Sequence, residues 1–450
     1  MESYLNSNIQ GYLSIADYLA ELYNFATFRD TKEIYIYRDG VYRPNGEAYI
    51  EEQARSLLGD DFTTHRVKEI ANSIRYSTYV NRYSFDADEN VINVENGLLN
   101  IKTSEFKLHT PRYLSLVQFP ISYNHKATCP NIINFLSQVL NEDEIPLAEE
   151  LVGYCLLPKY PHHKAFMFQG DGRNGKSTFL NLVQRLLGSH NCSSVDLTSL
   201  CNDRFAVSQL FGKRANIFSD LPAEALKTTG MFKALTGGDR VPAQRKFQNP
   251  FEFTNQAKLI FSCNYVPMSY DTSPAFFSRW IIIHFPNTFE GDSANPNILI
   301  ELTTDDELSG FLNLAIEGLN RLLKNNGFSY NKSREEVAEE YQRMSNPVSA
   351  FISDCIEEDM YEYIVKDELY NTFKNYCKEK HYPKFSDKKF TEWLKKEVRV
   401  TDFRPSVNGQ QKRAWQGIKL SSSLPFLISS QGIHDIHDFS NLSNTIVKEG

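Results

Sequence analysis

The stretch AFMFQGDGRNGKSTFL, Ala165–Leu180, decides the fold of this 450-residue chain. Its apolar beginning, from Ala165 to Phe168, predicts a buried strand, and the residues from Lys176 onwards predict an apolar-periodic helix. Between them lies the spacing G-x-x-x-x-G-K-S. Glycines in such a loop allow the backbone to wrap an anion, because successive N–H groups and the helix N-terminus then face it. The stretch therefore predicts a triphosphate-binding loop rather than an ordinary glycine-rich turn.

This spacing is the phosphate-binding loop of P-loop NTPases. We expect Lys176 to bind the β- and γ-phosphates of ATP and Ser177 to bind Mg²⁺ through its hydroxyl. The predicted nucleotide-binding residues are Gly170, Asp171, Gly172, Arg173, Asn174, Gly175, Lys176, Ser177 and Thr178. The predicted ligands of the chain are accordingly ATP and Mg²⁺.

An acidic residue follows a short apolar stretch downstream of this loop. Asp220 comes directly after Ala215–Phe218 and Ser219. A carboxylate at the carboxyl end of a strand beside phosphates can hold Mg²⁺ directly or through water. We therefore predict Asp220 as the second metal residue. Glu224 is a candidate for polarising the attacking water, and a surface glutamate at a helix start is an equally good interpretation.

Two further polar residues lie at the ends of predicted strands. Asn264 follows Lys258–Cys263, where an amide can hydrogen-bond the γ-phosphate or its water, and a turn-initiating asparagine is an equal alternative. Arg279 immediately precedes Trp280–Phe285. A rigidly held arginine suits an arginine finger that acts across a subunit boundary. The predicted catalytic residues are Lys176, Asp220, Glu224, Asn264 and Arg279.

The net charge of the chain excludes a protein surface that is basic overall. The net charge is −8 and the pI is about 5.8, so any contact with nucleic acid must come from local patches or an internal channel. Seven cysteines without a C-x-x-C pair indicate a reducing compartment rather than disulfides or a zinc module. No secretory signal or membrane span is evident in the sequence. These features predict a cytoplasmic protein without a membrane partner.

Two regions outside the loop have their own patterns. Glu33–Pro44 predicts a β-hairpin around Asp39-Gly40, and Val91–Ile101 predicts another that turns at Asn96-Gly97. Near the C-terminus, helix patterns at 366–380 and 387–397 precede a strand pair around 412–420, the order of a winged helix. Between residues 366 and 419, fourteen Lys and Arg face seven Asp and Glu, which favours nucleic-acid binding.

Two predicted strands before Lys258 flank a basic-aromatic tip formed by Arg245, Lys246 and Phe247. Such a tip is a candidate DNA contact. A structural alternative is that Lys246 pairs with Asp239 or Glu252 to hold the hairpin together.

The order of these motifs identifies a family resemblance. The motifs are GDGRNGKST (Gly170–Thr178), NIFSDLP (Asn216–Pro222), GGDRVPAQRKFQNPFEF (Gly237–Phe253), KLIFSCNYVP (Lys258–Pro267) and AFFSRWIIIHFP (Ala275–Pro286). Taken in this order, they resemble the superfamily 3 helicases of the phage/plasmid primase and poxvirus primase-helicase type. The resemblance covers roughly residues 10 to 420.

The resemblance implies an ATP-dependent DNA helicase that forms a hexameric ring. Such a ring moves 3′ to 5′ on single-stranded DNA and opens forked DNA during replication of a virus, plasmid or integrated mobile element. Asp220 would be the Walker B acid, Asn264 the sensor and Arg279 a finger acting in trans, while Arg245, Lys246 and Phe247 would point into the pore. Ser219 stands where many members carry a second acid. Members are often fused to a primase, so a separate primase or polymerase is the expected partner.

The implied fold class is α/β, with an AAA+-like P-loop core. The predicted domains are an N-terminal α+β helicase-associated domain (1–145), the ATPase (146–330), a helical linker (331–360), the winged helix (361–420) and a tail (421–450). A small-molecule kinase is a poor alternative, because it has no use for a hairpin and a winged helix. An ATP-regulated origin-binding or loading factor that does not separate strands stays open.

Overall fold

The computed structural model describes residues 12–222, 225–247, 249–291, 294–380, 382–407 and 409–421. The chain divides into two compact units, Met1–Tyr341 and Gln342–Gly450. The predicted tail, 421–450, lies outside the described residues except for Ser421. The five predicted domains stay predictions, because this division draws no boundary inside either unit.

The first part of the larger unit mixes helices with small sheets. Its helices are Tyr12–Leu22, Gly46–Leu58 and Thr64–Ser77, with 3-10 turns at Gly59–Asp61 and Arg82–Ser84. Its strands are β1 (Phe25–Phe28), β2 (Ile34–Arg38), β3 (Val41–Arg43), β4 (Tyr79–Val80), β5 (Val91–Val94), β6 (Gly97–Asn100) and β7 (Phe106–Lys107). They form a four-stranded sheet in the order β3-β2-β1-β4 and a three-stranded sheet in the order β5-β6-β7.

Both predicted hairpins are present in this part. β2 pairs antiparallel with β3, and Asp39 and Gly40 have φ values of 50° and 86°, the two positive values that a type I′ turn requires. β5 pairs antiparallel with β6. The second turn is one residue earlier than predicted, at Glu95-Asn96, because Gly97 already pairs with Val94.

The centre of the larger unit is a parallel sheet. Its strands are β8 (Ala165–Gln169), β9 (Cys192–Ser193), β10 (Ala215–Phe218), β13 (Lys258–Cys263) and β14 (Trp280–His284), and β11 (Arg240–Ala243) and β12 (Phe251–Thr254) form a separate hairpin. The order is β14-β8-β13-β10-β9, with all neighbours parallel. Every residue of β8 and β13 is buried, as expected for strands covered on both faces. Because β13 lies between β8 and β10, the residues that follow these three strands meet at one edge.

Helices precede, separate and follow the strands of this central part. They are Pro130–Val139, Ile145–Leu156, Lys176–Leu187, Leu197–Asn202, Arg204–Ser208, Gly230–Gly237, Pro274–Phe277, Ile298–Leu302, Asp305–Asn325 and Arg334–Ser345, with a 3-10 turn at Ser189–Asn191. Ile145–Leu156 packs against Asp305–Asn325 so closely that an added Cβ at Gly153 would lie 2.2 Å from Ala315 O. None of the helices in the described ranges has the length and apolar character that a bilayer crossing requires.

An arginine joins the N-terminal part to the central part of this unit. The buried guanidinium of Arg82 lies over the rings of Phe28, Phe211 and Phe251, with its carbon 4.3–4.8 Å from their centroids. Its Nε also donates to Asp30 Oδ2 at 2.8 Å. Because Phe251 is the first residue of β12 after the hairpin tip and pairs with Ala243, this contact joins the tip end of the β11–β12 hairpin to the N-terminal part.

The smaller unit has its own core, which includes Phe351, Phe373, Phe390 and Trp415. Its helices are Pro347–Cys355, Lys366–Glu379 and Asp387–Glu397, and its strands are β15 (Ile356–Val365), β16 (Thr401–Phe403), β17 (Ser406–Val407), β18 (Gln410–Gln411) and β19 (Ala414–Leu420). Three strands pair in the order β15-β19-β16, and β17 pairs with β18. The predicted helical linker was wrong from residue 356 onwards, because β15 begins there and pairs along β19. Mostly exposed, charged residues of β15 hid the strand pattern.

Candidate nucleotide-binding site and hairpin

The loop that joins β8 to the next helix has a backbone that requires glycine. Gly172 and Gly175 have φ values of 103° and 88°. Glycine adopts this left-handed region without the strain that a Cβ would cause. At Gly175 an added Cβ would also lie 2.6 Å from Val139 Cγ1. The predicted role of these glycines therefore agrees with what the backbone needs.

The helix after the loop begins at Lys176 without a side-chain cap. The first N–H groups of a helix have no intrahelical acceptor, and the positive end of the helix dipole lies beside them. Ser177 is exposed and Thr178 is half-buried at this end. These groups are thus accessible donors for an anion.

Lys176 is buried, and its ammonium group turns back over the loop. Its Nζ donates to Gly170 O at 2.6 Å, to Asn174 Oδ1 at 3.1 Å and to Asn264 Oδ1 at 3.5 Å. The structure therefore brings two of the predicted catalytic residues, Lys176 and Asn264, into contact. All three acceptors are uncharged oxygens, so phosphate oxygens can replace them as partners without breaking an ion pair.

Asp220 lies at the same edge of the sheet. It follows β10, which pairs with β13, and β13 in turn pairs with β8. Burial lowers the pKa of Lys176, while Cys263, Asp171 and Asp220 act in the opposite direction. Asp220 is exposed, as is Ser177, which suits a pair that would hold Mg²⁺ together with phosphate oxygens. Within the described ranges no group of three or more His, Cys, Asp or Glu side chains forms a metal site by itself.

A cavity of about 400 Å³ adjoins the loop. Its apolar walls are Phe135, Val139, Phe289 and Ile298, and Gly175 and Thr178 border it on the loop side. Phe289 N donates to Arg173 O at 2.8 Å, which attaches one wall to the loop. A largely apolar cavity of this size beside an anion-binding loop can hold a nucleobase.

Arg279 lies at the amino ends of the parallel strands, whereas the loop lies at their carboxyl ends. In the parallel pair of β14 and β8, Trp280 is opposite Ala165 and His284 is opposite Gln169. Arg279 is therefore level with Lys164, six residues before Gly170, which at about 3.3 Å of rise per residue is roughly 20 Å from the loop along the strand. The structure therefore does not bring Arg279 to the nucleotide site of its own subunit.

The side chain of Arg279 is held by the helix Gly230–Gly237. Its Nε donates to Thr236 Oγ1 at 2.8 Å and its Nη2 to Lys233 O at 3.3 Å, and its Nη1 contacts Ala275 O. Burial lowers the pKa of Arg279, with Asp239 and Asp271 acting in the opposite direction. The guanidinium is thus oriented by its own chain.

The tip between β11 and β12 is tethered on one side. Arg245 Nη1 donates to both carboxylate oxygens of Glu33, at 3.1 and 3.2 Å. Lys246 is exposed, and Phe247 is fully exposed with a φ of 63°. Among the described residues, no ion pair joins Lys246 to either Asp239 or Glu252, the structural alternative, and Glu252 pairs instead with Arg240, at 3.2 Å.

Sequence reasoning missed several groups near this site. The sequence around Glu33 does not indicate that this residue contacts the hairpin, because its partner Arg245 is 212 residues away. His284 ends β14 with Nδ1 3.3 Å from Gln169 Oε1, and its Nε2 is 2.9 Å from Glu340 Oε1. The sequence does not indicate that His284 lies beside Gln169, because this position follows only from the pairing of β14 with β8. Glu224, the predicted water-polarising candidate, lies outside the described residues.

Comparisons with known families match three parts of the chain. Residues 16–141 match the family described as D5 N terminal like, and residues 343–417 match the poxvirus D5 protein-like family. Residues 168–279 match a family of unknown function, DUF5906. The parts on either side of the phosphate loop thus both match families described as D5-like.

Two curated relatives are viral. "Putative helicase L207/L206" of Acanthamoeba polyphaga mimivirus is 24% identical over 54% of this chain, and "Putative helicase 121R" of Invertebrate iridescent virus 3 is 26% identical over 45%. The matches span 26% and 23% of those proteins, about a quarter of their length. A solved structure named "The A form apo structure of NrS-1 C terminal region-CTR" has a TM-score of 0.49 at 12% identity, covering 89% of this chain and 97% of that one.

Proposed function

We propose that this chain, which belongs to the D5-type helicases, is an ATP-dependent DNA helicase acting in the replication of a virus, plasmid or integrated mobile element. The observation that carries the proposal is the contact of Lys176 Nζ with Gly170 O and Asn264 Oδ1 above an uncapped helix N-terminus. The proposal includes a ring of six subunits that moves 3′ to 5′ on single-stranded DNA. A separate primase or polymerase would supply priming.

In the proposed P-loop, the backbone N–H groups and Lys176 bind the phosphates of ATP. Ser177 and Asp220 would hold Mg²⁺, which neutralises phosphate charge when it is bound. Asn264 lies between the loop and Asp220 because β13 separates β8 from β10. From there its amide orients the γ-phosphate or the attacking water. The base of ATP fits the 400 Å³ cavity beside Gly175.

Arg279 completes the site of a neighbouring subunit in this proposal. Its distance from its own loop favours a role in trans, which its contacts with Thr236 and Lys233 support by orienting the guanidinium. An arginine finger stabilises the charge on the phosphoryl group being transferred. Turnover would therefore require that subunits associate in a closed ring.

The DNA contacts of the proposal lie in two places. Lys246 and Phe247 are exposed on the β11–β12 hairpin, where a cation can bind phosphate and an aromatic ring can stack on a base. The smaller unit combines three helices with the β15-β19-β16 sheet, the arrangement that we interpret as a winged helix. Within this unit, residues 366–419 carry fourteen Lys and Arg against seven Asp and Glu, which supports contact with forked DNA.

The test is unwinding of a labelled fork with ATP, run beside ATP hydrolysis with and without single-stranded DNA. Strand separation that requires ATP and disappears in Lys176→Ala is the expected result. If the wild-type chain hydrolyses ATP and binds DNA without separating strands, the origin-binding or loading factor is the better function. Absence of DNA-stimulated hydrolysis would refute both.

A further inference from the structure

A second cavity, of about 760 Å³, lies where the N-terminal part of the larger unit meets the edge of the central sheet. Its walls come from the end of β3, from β9, from the segment after Arg204–Ser208 and from the hairpin residue Arg245. β9 is the outermost strand, and two strands separate it from β8. This junction cavity is therefore distinct from the nucleotide site.

Several basic side chains line the junction cavity. Arg43, His190, Lys213 and Arg245 all line it. Burial lowers the pKa of Lys213, and Arg245 lowers it further. The pKa of His190 is lowered by burial and then by Arg43 and Lys213. The cations are thus close enough to repel one another, in a chain whose net charge is −8.

Carboxylates offset this charge only in part. Glu33 pairs with Arg245 at 3.1 Å, and Asp39 acts on Arg43 from an exposed position. Lys213 Nζ contacts a backbone oxygen, that of His190. A partly buried set of like charges is costly to maintain unless an anion joins it.

The other lining groups favour phosphate over a base. Ser194 and Gln209 are exposed on the rim and can donate hydrogen bonds to phosphate oxygens. The two tyrosines of the wall, Tyr35 and Tyr42, are only 5% and 4% exposed. Neither ring offers a free face on which a base could stack.

We propose that the junction cavity binds phosphate groups of a single-stranded DNA segment next to the hairpin tip. Arg245 belongs to both the cavity wall and the tip, so a strand gripped by Lys246 and Phe247 presents a neighbouring phosphate to the cavity. That phosphate takes the place of Glu33 on Arg245, and Arg43 and Lys213 add two further cations. The inference rests on the proposed function only in that DNA is the ligand.

The experiment measures binding of a fluorescein-labelled oligothymidylate to the full chain by anisotropy, without ATP, over a series of salt concentrations. Arg43→Gln with Lys213→Gln is expected to weaken binding about tenfold at low salt. The slope of log K against log salt should become less steep by ~0.7 for each DNA phosphate that the variant no longer binds. The control, Lys102→Gln with Lys126→Gln, makes the same change of charge at two exposed positions and should leave the slope nearly unchanged.

Two further variants separate charge from packing. Arg43→Lys with Lys213→Arg keeps both cations and should restore most of the affinity, while thermal melting reports whether each variant folds. Glu33→Gln removes the charge that pairs with Arg245 in a partly solvent-accessible contact, and should tighten binding by roughly two- to fivefold. Wild-type affinity and slope in the folded Arg43→Gln/Lys213→Gln variant would overturn the proposal.

A second arm distinguishes the source of the phosphate. Inorganic phosphate and thymidine monophosphate are titrated as competitors against the labelled oligonucleotide and, separately, as stabilisers in thermal melting. If the double variant loses only monophosphate binding, the cavity serves a free nucleotide and the assignment to DNA is wrong. Because no ATP is present, a chain that fails to hydrolyse ATP still gives a clear result here.

Discussion

Replacing Arg279 by alanine gives the sharpest test of how the proposed site is assembled. The residue lies at the amino end of β14, at the opposite edge of the sheet from Lys176. In a closed ring it can act only on the nucleotide of a neighbour. We therefore expect Arg279→Ala to bind ATP almost normally, while turnover falls by roughly 10³-fold or more.

The same substitution has a structural cost that can be worked out separately. Arg279 donates hydrogen bonds to Thr236 Oγ1 and Lys233 O from a half-buried position. A hydrogen bond from a charged donor contributes about 1.5–3 kcal/mol, and we take about 2 kcal/mol because this group is partly solvated. For a unit that spans Met1–Tyr341, that loss lowers the melting temperature by only about 3 °C. The protein should therefore stay folded at 25 °C.

The assay mixes Arg279→Ala with Lys176→Ala in equal amounts, after the subunits have been allowed to exchange. Neither variant turns over alone, because every interface lacks either the lysine or the arginine. In a random mixture about one interface in four combines an intact loop with an intact Arg279 from the neighbour. Steady-state hydrolysis should recover to about a quarter of the wild-type basal rate. Thr236→Val is the matched control, because it loosens the guanidinium while keeping its charge.

Two results would refute this reasoning. If the mixture stays inactive although light scattering shows mixed rings, Arg279 does not act across the interface. If Arg279→Ala melts far below the expected range and loses ATP binding as well, the residue holds the helix Gly230–Gly237 and has no separate role in turnover.

The remaining predictions concern the loop, the hairpin, one carboxylate and the smaller unit. Lys176→Ala should lower ATP turnover by on the order of 10² or more, measured by phosphate release, because the phosphates lose their buried cation. Arg245→Ala with Lys246→Ala should abolish unwinding and DNA stimulation but spare basal hydrolysis and ring size. Partial burial acts to raise the pKa of Asp271, but hydrogen bonds from Lys233, Ser273 and Thr229 outweigh it and hold the pKa well below 3.8. The stabilisation by Asp271 is therefore fully present above pH 3.8 and is lost progressively as the pH falls from 3.8 through the lowered pKa, so Asp271→Asn should lower the melting temperature most at pH 7 and by a smaller amount at each step below pH 3.8. The unit Gln342–Gly450 expressed alone should bind forked DNA with an affinity that falls steeply with salt.

Each of these has an outcome that contradicts it. Normal turnover in Lys176→Ala would remove the P-loop assignment, and unwinding that survives in the hairpin variant would leave the smaller unit as the main DNA contact. A pH-independent effect of Asp271→Asn would mean that its charge contributes nothing. No binding by the isolated unit at low salt would make it a protein-interaction module.

Local patterns predicted the parts of this molecule that local physics determines. The glycine spacing around Gly175 and the apolar runs of β8 and β13 predict a loop between a strand and a helix, since left-handed backbone and burial depend on nearby residues. Local patterns could not predict contacts between residues that are far apart in the sequence. The position of β13 between β8 and β10 and the contact of Arg245 with Glu33 arise from tertiary packing. For the same reason, the prediction of a helical linker up to residue 360 missed the first half of β15, which pairs with β19 about 60 residues later.

The contact of Arg82 with three phenylalanine rings has a mechanical consequence. If a moving DNA strand pulls on the hairpin tip, the force reaches Phe251, the first residue of β12 after the tip, and passes through the guanidinium of Arg82 to Phe28 and Asp30. The N-terminal part then serves as the anchorage against which the hairpin pushes. A truncation that keeps only the nucleotide-binding part would remove the N-terminal contacts of the hairpin. ATP hydrolysis would then continue without moving DNA.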